Sequence, residues 1–425
     1  MHNQDVSKPS LEEIKLPLWQ NILTGAQMLF VAFGALVLVP LVTGLDPNVA
    51  LFTAGLGTLI FHLVTKNKVP VFLASSFAFI GAIQVSVKSW GIPVTMGALM
   101  ASGVVFMLFG GLIKVFGRRV IEKLLPPVVT GPIIAVIGLM LAPVAVNMAL
   151  GKGGAVEIPY ATAIFVSMVS LITTLIVSIW AKGIFKLIPI LLGIAVGYTL
   201  SIFMGLVDFS TIAAAPWFTI PNFTAPQFEW QAIIFMLPVV IAPVIEHVGD
   251  IMAIGSVTKK DFTKSPGLHR TLTGDGLATS AAAFFGGPPC ITYAEVIGAV
   301  TLTRNFNPLI MVFAGVWAVA FSFIGKIGAF LLTIPSVVMG GIMVLLFGSI
   351  ASVGINILVK NRVDLSIPRN LCIVSVVLIF GIGGMLFNFG EFTLQGISLC
   401  GITAIILNLI LPQDKVGKTI DPRNN

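Results

Sequence analysis

Four acidic residues stand in stretches that are otherwise apolar: Glu246, Asp250, Asp275 and Glu295, with His247 beside the first. An acid at the centre of an apolar helix costs about 2.5 to 3.5 kcal/mol even on mild insertion scales, so a functional role is the default reading. Glu246 and Asp250 are four residues apart in Ala242-Pro243-Val244-Ile245-Glu246-His247-Val248-Gly249-Asp250, which stacks both carboxyls on one helical face. His247 points elsewhere. Carboxyl groups deprived of water resist ionisation, so a proton can bind near neutral pH and be coupled to a cargo; Glu246, Asp250 and Glu295 are the candidates for that coupling. Asp275, between Gly274 and Gly276 near the start of an apolar run, reads as a turn or cap residue. His247 reads as a group that orients a neighbour, and His62, close to Lys66 and Lys68, as an interfacial polar residue.

The elements that must position these residues are set by composition. Of 425 residues, 57% are hydrophobic and only 10% are charged. A water-soluble domain carries roughly 25% charged residues, so this chain needs lipid as its solvent. Cys290, Cys372 and Cys400 lie in or beside apolar runs with no CxxC spacing, which speaks for buried thiols and against a disulfide framework or a metal site. The first 17 residues mix Lys8 and Lys15 with Asp5, Glu12 and Glu13 and show no cleavable signal peptide.

A helical crossing takes about 20 apolar residues. Long runs cover 18–43, 47–65, 94–113, 128–149, 161–181 and 187–207, then 231–254, 309–325, 330–348, 371–387 and 394–411. Weaker runs at 71–87, 272–285 and 291–302 are short or interrupted, and with them the count is fourteen. The positive-inside rule supports that number: with the N-terminus in the cytoplasm, 21 of the 24 Lys and Arg face inside, leaving Lys88, Lys152 and Lys326 outside. The inside set includes Lys8, Lys15, Arg118, Arg119, Lys186, Lys415, Lys418 and Arg423, and it accounts for the net charge of +7 as complementarity to an anionic leaflet rather than to nucleic acid.

The longest outside loop, 208–230, divides the spans into seven and seven. An odd number per half makes the second half enter the bilayer from the opposite face, the inverted repeat common in secondary transporters. Two segments at matching places, Val69-Pro70-Val71-Phe72-Leu73-Ala74-Ser75-Ser76-Phe77 and Gly286-Gly287-Pro288-Pro289-Cys290-Ile291-Thr292-Tyr293-Ala294-Glu295, are breaker-rich, then extended, then helical. Unwound backbone at mid-membrane depth needs partners from protein, water or ligand, and a half-helix that starts there aims its free N–H groups at the centre. The fold class is therefore an all-α polytopic membrane protein built as a seven-plus-seven inverted repeat.

At these residues the chain resembles the nucleobase cation symporter-2 family of nucleobase/ascorbate transporters, and within it the bacterial uracil permeases. The resemblance covers nearly the whole length. It rests on Phe33-Gly34-Ala35-Leu36-Val37-Leu38-Val39-Pro40, Ser75-Ser76-Phe77-Ala78-Phe79, Glu246-His247-Val248-Gly249-Asp250, Pro266-Gly267-Leu268-His269-Arg270 and Thr292-Tyr293-Ala294-Glu295. The family signature is matched by Glu295 through Arg304, with Val296 where Asn is usual. Met28 follows Gln27 where the family often has His, and Ala294 replaces a Gly.

The resemblance implies short β-strands in the third and tenth spans. It also implies a core domain, 18–117 and 231–326, and a gate domain, 118–207 and 327–412, the latter able to dimerise, with the external loop at 208–230 and cytoplasmic ends at 1–17 and 413–425. Glu246 and Glu295 would accept the ring N–H groups of a uracil-like base, the Phe77 and Ala294 backbone N–H groups would donate to its carbonyls, and Ala35 and Tyr293 would complete the binding site. The implied function is proton-coupled import by alternating access across a bacterial cytoplasmic (inner) membrane. The proton gradient is the energy source and no cofactor is expected. Two other readings remain at this stage: the same fold with a purine or small anion as cargo, and a channel. An enzyme is not expected, because HExxH, GxSxG and Cys/His clusters are missing from the sequence.

Overall fold

The computed structural model describes residues 17–117, 123–152, 157–389 and 392–412. Both chain ends, with the segment read for a signal peptide and Lys8, Lys15, Lys415, Lys418 and Arg423, lie outside these residues, as do Arg118 and Arg119.

Apolar runs in lipid can satisfy their own backbone only by coiling into helices. The first two, α1 (Leu18–Thr43) and α2 (Pro47–Val64), meet in a tight turn. Gly44 adopts φ +75° there, and Asp46 caps α2, its Oδ1 accepting the Asn48 N–H at 2.7 Å and the Val49 N–H at 3.2 Å. The chain then runs extended into β1 (Leu73–Ser75) and, through a 3-10 turn at Phe77–Phe79, into α3 (Ile80–Phe116). α3 bends sharply at Gly91, φ +82°, two residues before Pro93, so the runs read at 71–87 and 94–113 are two arms joined at a corner.

Helices α4 (Pro127–Ala149), α5 (Tyr160–Trp180), α6 (Pro189–Phe203) and α7 (Ser210–Ala214) complete the first half. The second opens with α8 (Trp230–Met236) and α9 (Ile241–Thr258), linked by a 3-10 turn, and α10 (Leu268–Phe284). It continues through β2 (Cys290–Thr292), α11 (Ala294–Thr303), α12 (Leu309–Ser322), α13 (Gly325–Leu332) and α14 (Ser336–Lys360). Last come α15 (Pro368–Ile382), β3 (Leu386–Phe389), β4 (Phe392–Gln395) and α16 (Gly396–Ile410). Among the described residues seven helical stretches are long and apolar enough to cross a membrane, accompanied by four shorter apolar helices.

Three sequence expectations change. The run 330–348 straddles two helices: α13 stops at Leu332 and α14 starts after Pro335, whose ring suits a helix start and not its interior. Between α15 and α16 the chain forms an antiparallel hairpin, β3 with β4, pairing Leu386 with Gln395 and Phe389 with Phe392. Hydropathy alone cannot separate such a short apolar strand from the end of a helix. Of the three thiols read as buried, Cys290 and Cys400 are, whereas Cys372 is exposed.

Helices packed without a hydrophobic drive between them approach closely where side chains are small. A Cβ on Gly103 of α3 would lie 2.5 Å from the Gly276 carbonyl of α10, and one on Gly276 would lie 2.6 Å from the Gly103 carbonyl. Gly131 of α4 and Gly354 of α14 are related in the same reciprocal way. The most extensive helix contacts fall into two groups. α1, α2, α3, α10 and α12 pack together, and α4, α5, α6, α14 and α15 pack together.

In the first group β1 and β2 pair antiparallel, Leu73 opposite Thr292, Ala74 opposite Ile291 and Ser75 opposite Cys290. A two-stranded sheet leaves each strand with an outer edge, and buried polar backbone must find partners. The helix before each strand supplies them. On the β1 edge, Thr58 Oγ1 accepts the Leu73 N–H at 3.0 Å and His62 Nε2 meets the Val71 carbonyl at 3.0 Å. On the β2 edge, the Thr279 hydroxyl donates to the Cys290 carbonyl at 2.9 Å and Asp275 Oδ2 accepts the Thr292 N–H at 3.1 Å. His62, read as interfacial, is a buried strand partner.

Thr58→Val keeps the shape and orphans the Leu73 N–H. The expected cost is about 1 to 3 kcal/mol, read as a lower thermal midpoint of the detergent-purified protein. An unchanged midpoint would show that Thr58 does not support the strand edge.

Candidate functional site

β1 and β2 each run into a helical segment, so two helical N-termini begin close together in the interior. The residues before them, Ser76 and Tyr293, make no side-chain capping hydrogen bond. The first N–H groups of a helix have no partner within the helix, and the positive dipole ends lie at these two points. Phe77 and Ala294, both named from the sequence, are the first residues of these two segments.

The acids named from the sequence converge on this place. Glu246 lies within electrostatic reach of Glu295 and Asp275, and Asp250 within reach of all three. Glu246 and Asp250 come from α9, Asp275 from the interior of α10, and Glu295 from the first turn of α11. Asp250 is buried with Oδ2 unpaired, while Glu246 is half-buried. Glu295 sits deep in the protein yet is exposed to a cavity of about 230 Å³, lined also by Phe30, Val31, Lys186, Ile190 and Gly298. Such a cavity, mostly apolar with a few convergent polar groups, is the usual form of a small-molecule site. A Cβ on Gly298 would meet nothing within 4 Å, which leaves that wall open.

Tyr293 is buried, and its hydroxyl has no hydrogen-bond partner although it faces the Glu295 carboxyl and the Ala35 backbone. Ala35 is fully buried in α1. The Phe77 ring packs 6.2 Å from Tyr293 and 6.5 Å, edge-on at 81°, from Phe347 of α14. Phe347 thereby brings the second helix group against the site, and nothing in its apolar sequence context distinguished it.

Asp275 was misread. It is fully buried, holds the Thr292 N–H, and pairs with His247 Nδ1 at 2.7 Å. His247 is also fully buried, and its Nε2 lies 2.8 Å from Thr271 Oγ1. The glycines that suggested a turn serve close packing instead: a Cβ on Gly274 would lie 2.7 Å from the Phe61 ring, and Gly276 faces Gly103. Among the described residues there is no cluster of His, Cys, Asp and Glu that could hold a metal ion.

A family model described as "Permease family" matches residues 19–389. A probable uracil permease of Pasteurella multocida is 61% identical over 391 residues, covering 92% of this chain and 93% of its own length. A uracil permease of Bacillus caldolyticus is 43% identical over 416 residues, 96% of each chain. Among solved structures, the transmembrane domain of a cyanobacterium bicarbonate transporter, BicA, superposes with a TM-score of 0.61 at 16% identity, covering 93% of this chain and 99% of that one. The murine Solute Carrier 26 family member A9 anion transporter in the inward-facing state gives 0.66 at 10% identity, covering 94% and 69%. At these identities the two structures speak for the fold alone.

Proposed function

The chain belongs to the permease family whose model spans residues 19–389, and on that premise we propose that it imports uracil, or a closely related pyrimidine, together with protons by alternating access. The observation that carries this reading is the convergence of Glu246 and Glu295 beside two helical N-termini, with Glu295 open to the cavity. Uracil is planar and neutral and alternates ring N–H donors with carbonyl acceptors. In this reading carboxylates accept the former, the backbone N–H groups of Phe77 and Ala294 donate to the latter, and the Phe77 ring offers a face to cover the base. The uracil permeases at 61% and 43% identity support the same cargo.

Protons enter as coupling ions through Glu246, Asp250 and Glu295. A proton bound with the base balances charge in the loaded state, and its loss in the cytoplasm frees the base. Phe347 against Phe77 marks where the groups would move: the core, 18–117 and 231–326, against the gate, 118–207 and 327–412, through which two copies would pair. In this reading the strands and short helices complete fourteen crossings in a bacterial cytoplasmic membrane with both termini in the cytoplasm.

Both structural neighbours are named for anions or a bicarbonate substrate, but a carboxylate in the first turn of α11 occupies the positive end an anion would need. The test is uptake of radiolabelled uracil by proteoliposomes. Accumulation above equilibrium is expected with an imposed inward proton gradient and only equilibration without one; equal uptake in both would remove the coupling.

A further inference from the structure

We propose that His247 and Asp275 are positioning residues that set the distance between the two carboxylates of the cargo site. The proposal rests on the reading of Glu246 and Glu295 given above. His247 is the residue after Glu246, and Thr292 stands three before Glu295. The network joins these two points. His247 Nδ1 lies 2.7 Å from Asp275 Oδ2, the same oxygen accepts the Thr292 N–H at 3.1 Å, and the Thr292 hydroxyl stands 3.2 Å from His247 Nδ1. Thr271 Oγ1 holds the other ring nitrogen at 2.8 Å, so the imidazole is tied at both ends and cannot swing. Three elements, α9, α10 and β2, are thereby fastened at one buried point, with His247, Thr271, Asp275 and Thr292 all fully buried. None of the four lines the cavity that Glu295 opens into.

The first half of the fold shows that this is more than backbone satisfaction requires. On the β1 edge a neutral hydroxyl, Thr58, accepts the Leu73 N–H. On the β2 edge a buried carboxylate does the corresponding work and is itself bound to an imidazole. One oxygen that meets both the strand N–H and the imidazole of α9 ties two elements at a single point, beyond what accepting the strand N–H alone requires. The gain is a defined spacing: Tyr293 N–H donates to the Phe72 carbonyl at 3.2 Å on one side of β2 and Thr292 N–H to Asp275 on the other, so the start of α11 is held from both edges. Loosening the second tie lets Glu295 drift relative to Glu246 while leaving both acids present.

Equilibrium binding of radiolabelled uracil to the purified, full-length protein, measured well below each variant's melting temperature, tests this. Asp275→Ala and His247→Ala are each expected to weaken binding by about tenfold or more, since each breaks a buried network. Asp275→Asn, with its amide oxygen in the place of Oδ2, still accepts the Thr292 N–H and an Nδ1–H of His247, so it is expected to bind within about threefold of the wild type. A stability role alone would lower melting temperatures and leave affinity unchanged. Wild-type affinity in folded Asp275→Ala, or equal weakening by Asp275→Asn and Asp275→Ala, would overturn the proposal. Should the alanine variants not survive extraction, Thr271→Val in native membrane vesicles carries the test, with several-fold weaker binding expected and unchanged affinity counting against it. Glu295→Ala separates the premise from the proposal. Wild-type binding by that variant takes down the site reading and the positioning role with it, whereas binding that depends on Glu295 and ignores Asp275 takes down the positioning role alone.

Discussion

Glu295→Ala protein in proteoliposomes is expected to lose uracil uptake by about 100-fold, because a hydrogen bond to a charged acceptor is worth about 1.5 to 3 kcal/mol and about 1.4 kcal/mol is tenfold in affinity. The Glu295 side chain is exposed to the cavity, so its truncation enlarges that space rather than opening a void in the core. The melting temperature should therefore stay near that of the wild type while binding disappears. Glu295→Gln separates two roles of the side chain. The amide still accepts one hydrogen bond but holds no proton, so it should retain weak binding and lose accumulation against a gradient. Uptake by Glu295→Ala at the wild-type rate would place the cargo elsewhere in the protein.

Gly298→Leu is expected to suppress uptake by at least about tenfold through steric occupation alone, a loss equivalent to about 1.4 kcal/mol. Gly298 lies one helical turn from Glu295 and lines the same cavity. Its Cβ would meet nothing within 4 Å, so the new side chain grows into the space a base would fill. The position is inside α11 with ordinary helical backbone, and leucine favours a helix over glycine, so folding should be undisturbed or improved. The contrast is Gly103→Leu, whose Cβ would press on the Gly276 carbonyl; that variant should lose stability first. Full uptake by Gly298→Leu would show that the cavity is not on the cargo's route.

The acids of α9 were legible because the helical period is local: a spacing of four residues stacks Glu246 over Asp250 wherever that helix sits. Glu295 was legible as an acid placed after a breaker-rich stretch in apolar surroundings. The pairing of β1 with β2 was not, since the strands are far apart in sequence and too short for alternation to be read. The place of Asp275 in mid-helix was not legible for a related reason. Flanking glycines signal a turn when their neighbours in space are unknown, and here those neighbours are the Phe61 ring and the α3 backbone at Gly103.

By itself the sequence determined the solvent this chain requires and which residues interrupt its apolar runs, because both depend on side-chain chemistry averaged over one or two helical turns. It also determined the helical face shared by Glu246 and Asp250. Tertiary structure alone decided that Glu295 meets them beside a cavity, that Asp275 and His247 tie β2 to α9 and α10, and that Phe347 closes on Phe77. Those contacts join segments whose spacing along the chain carries no period. They exist only once glycine-lined crossings have brought the helices together.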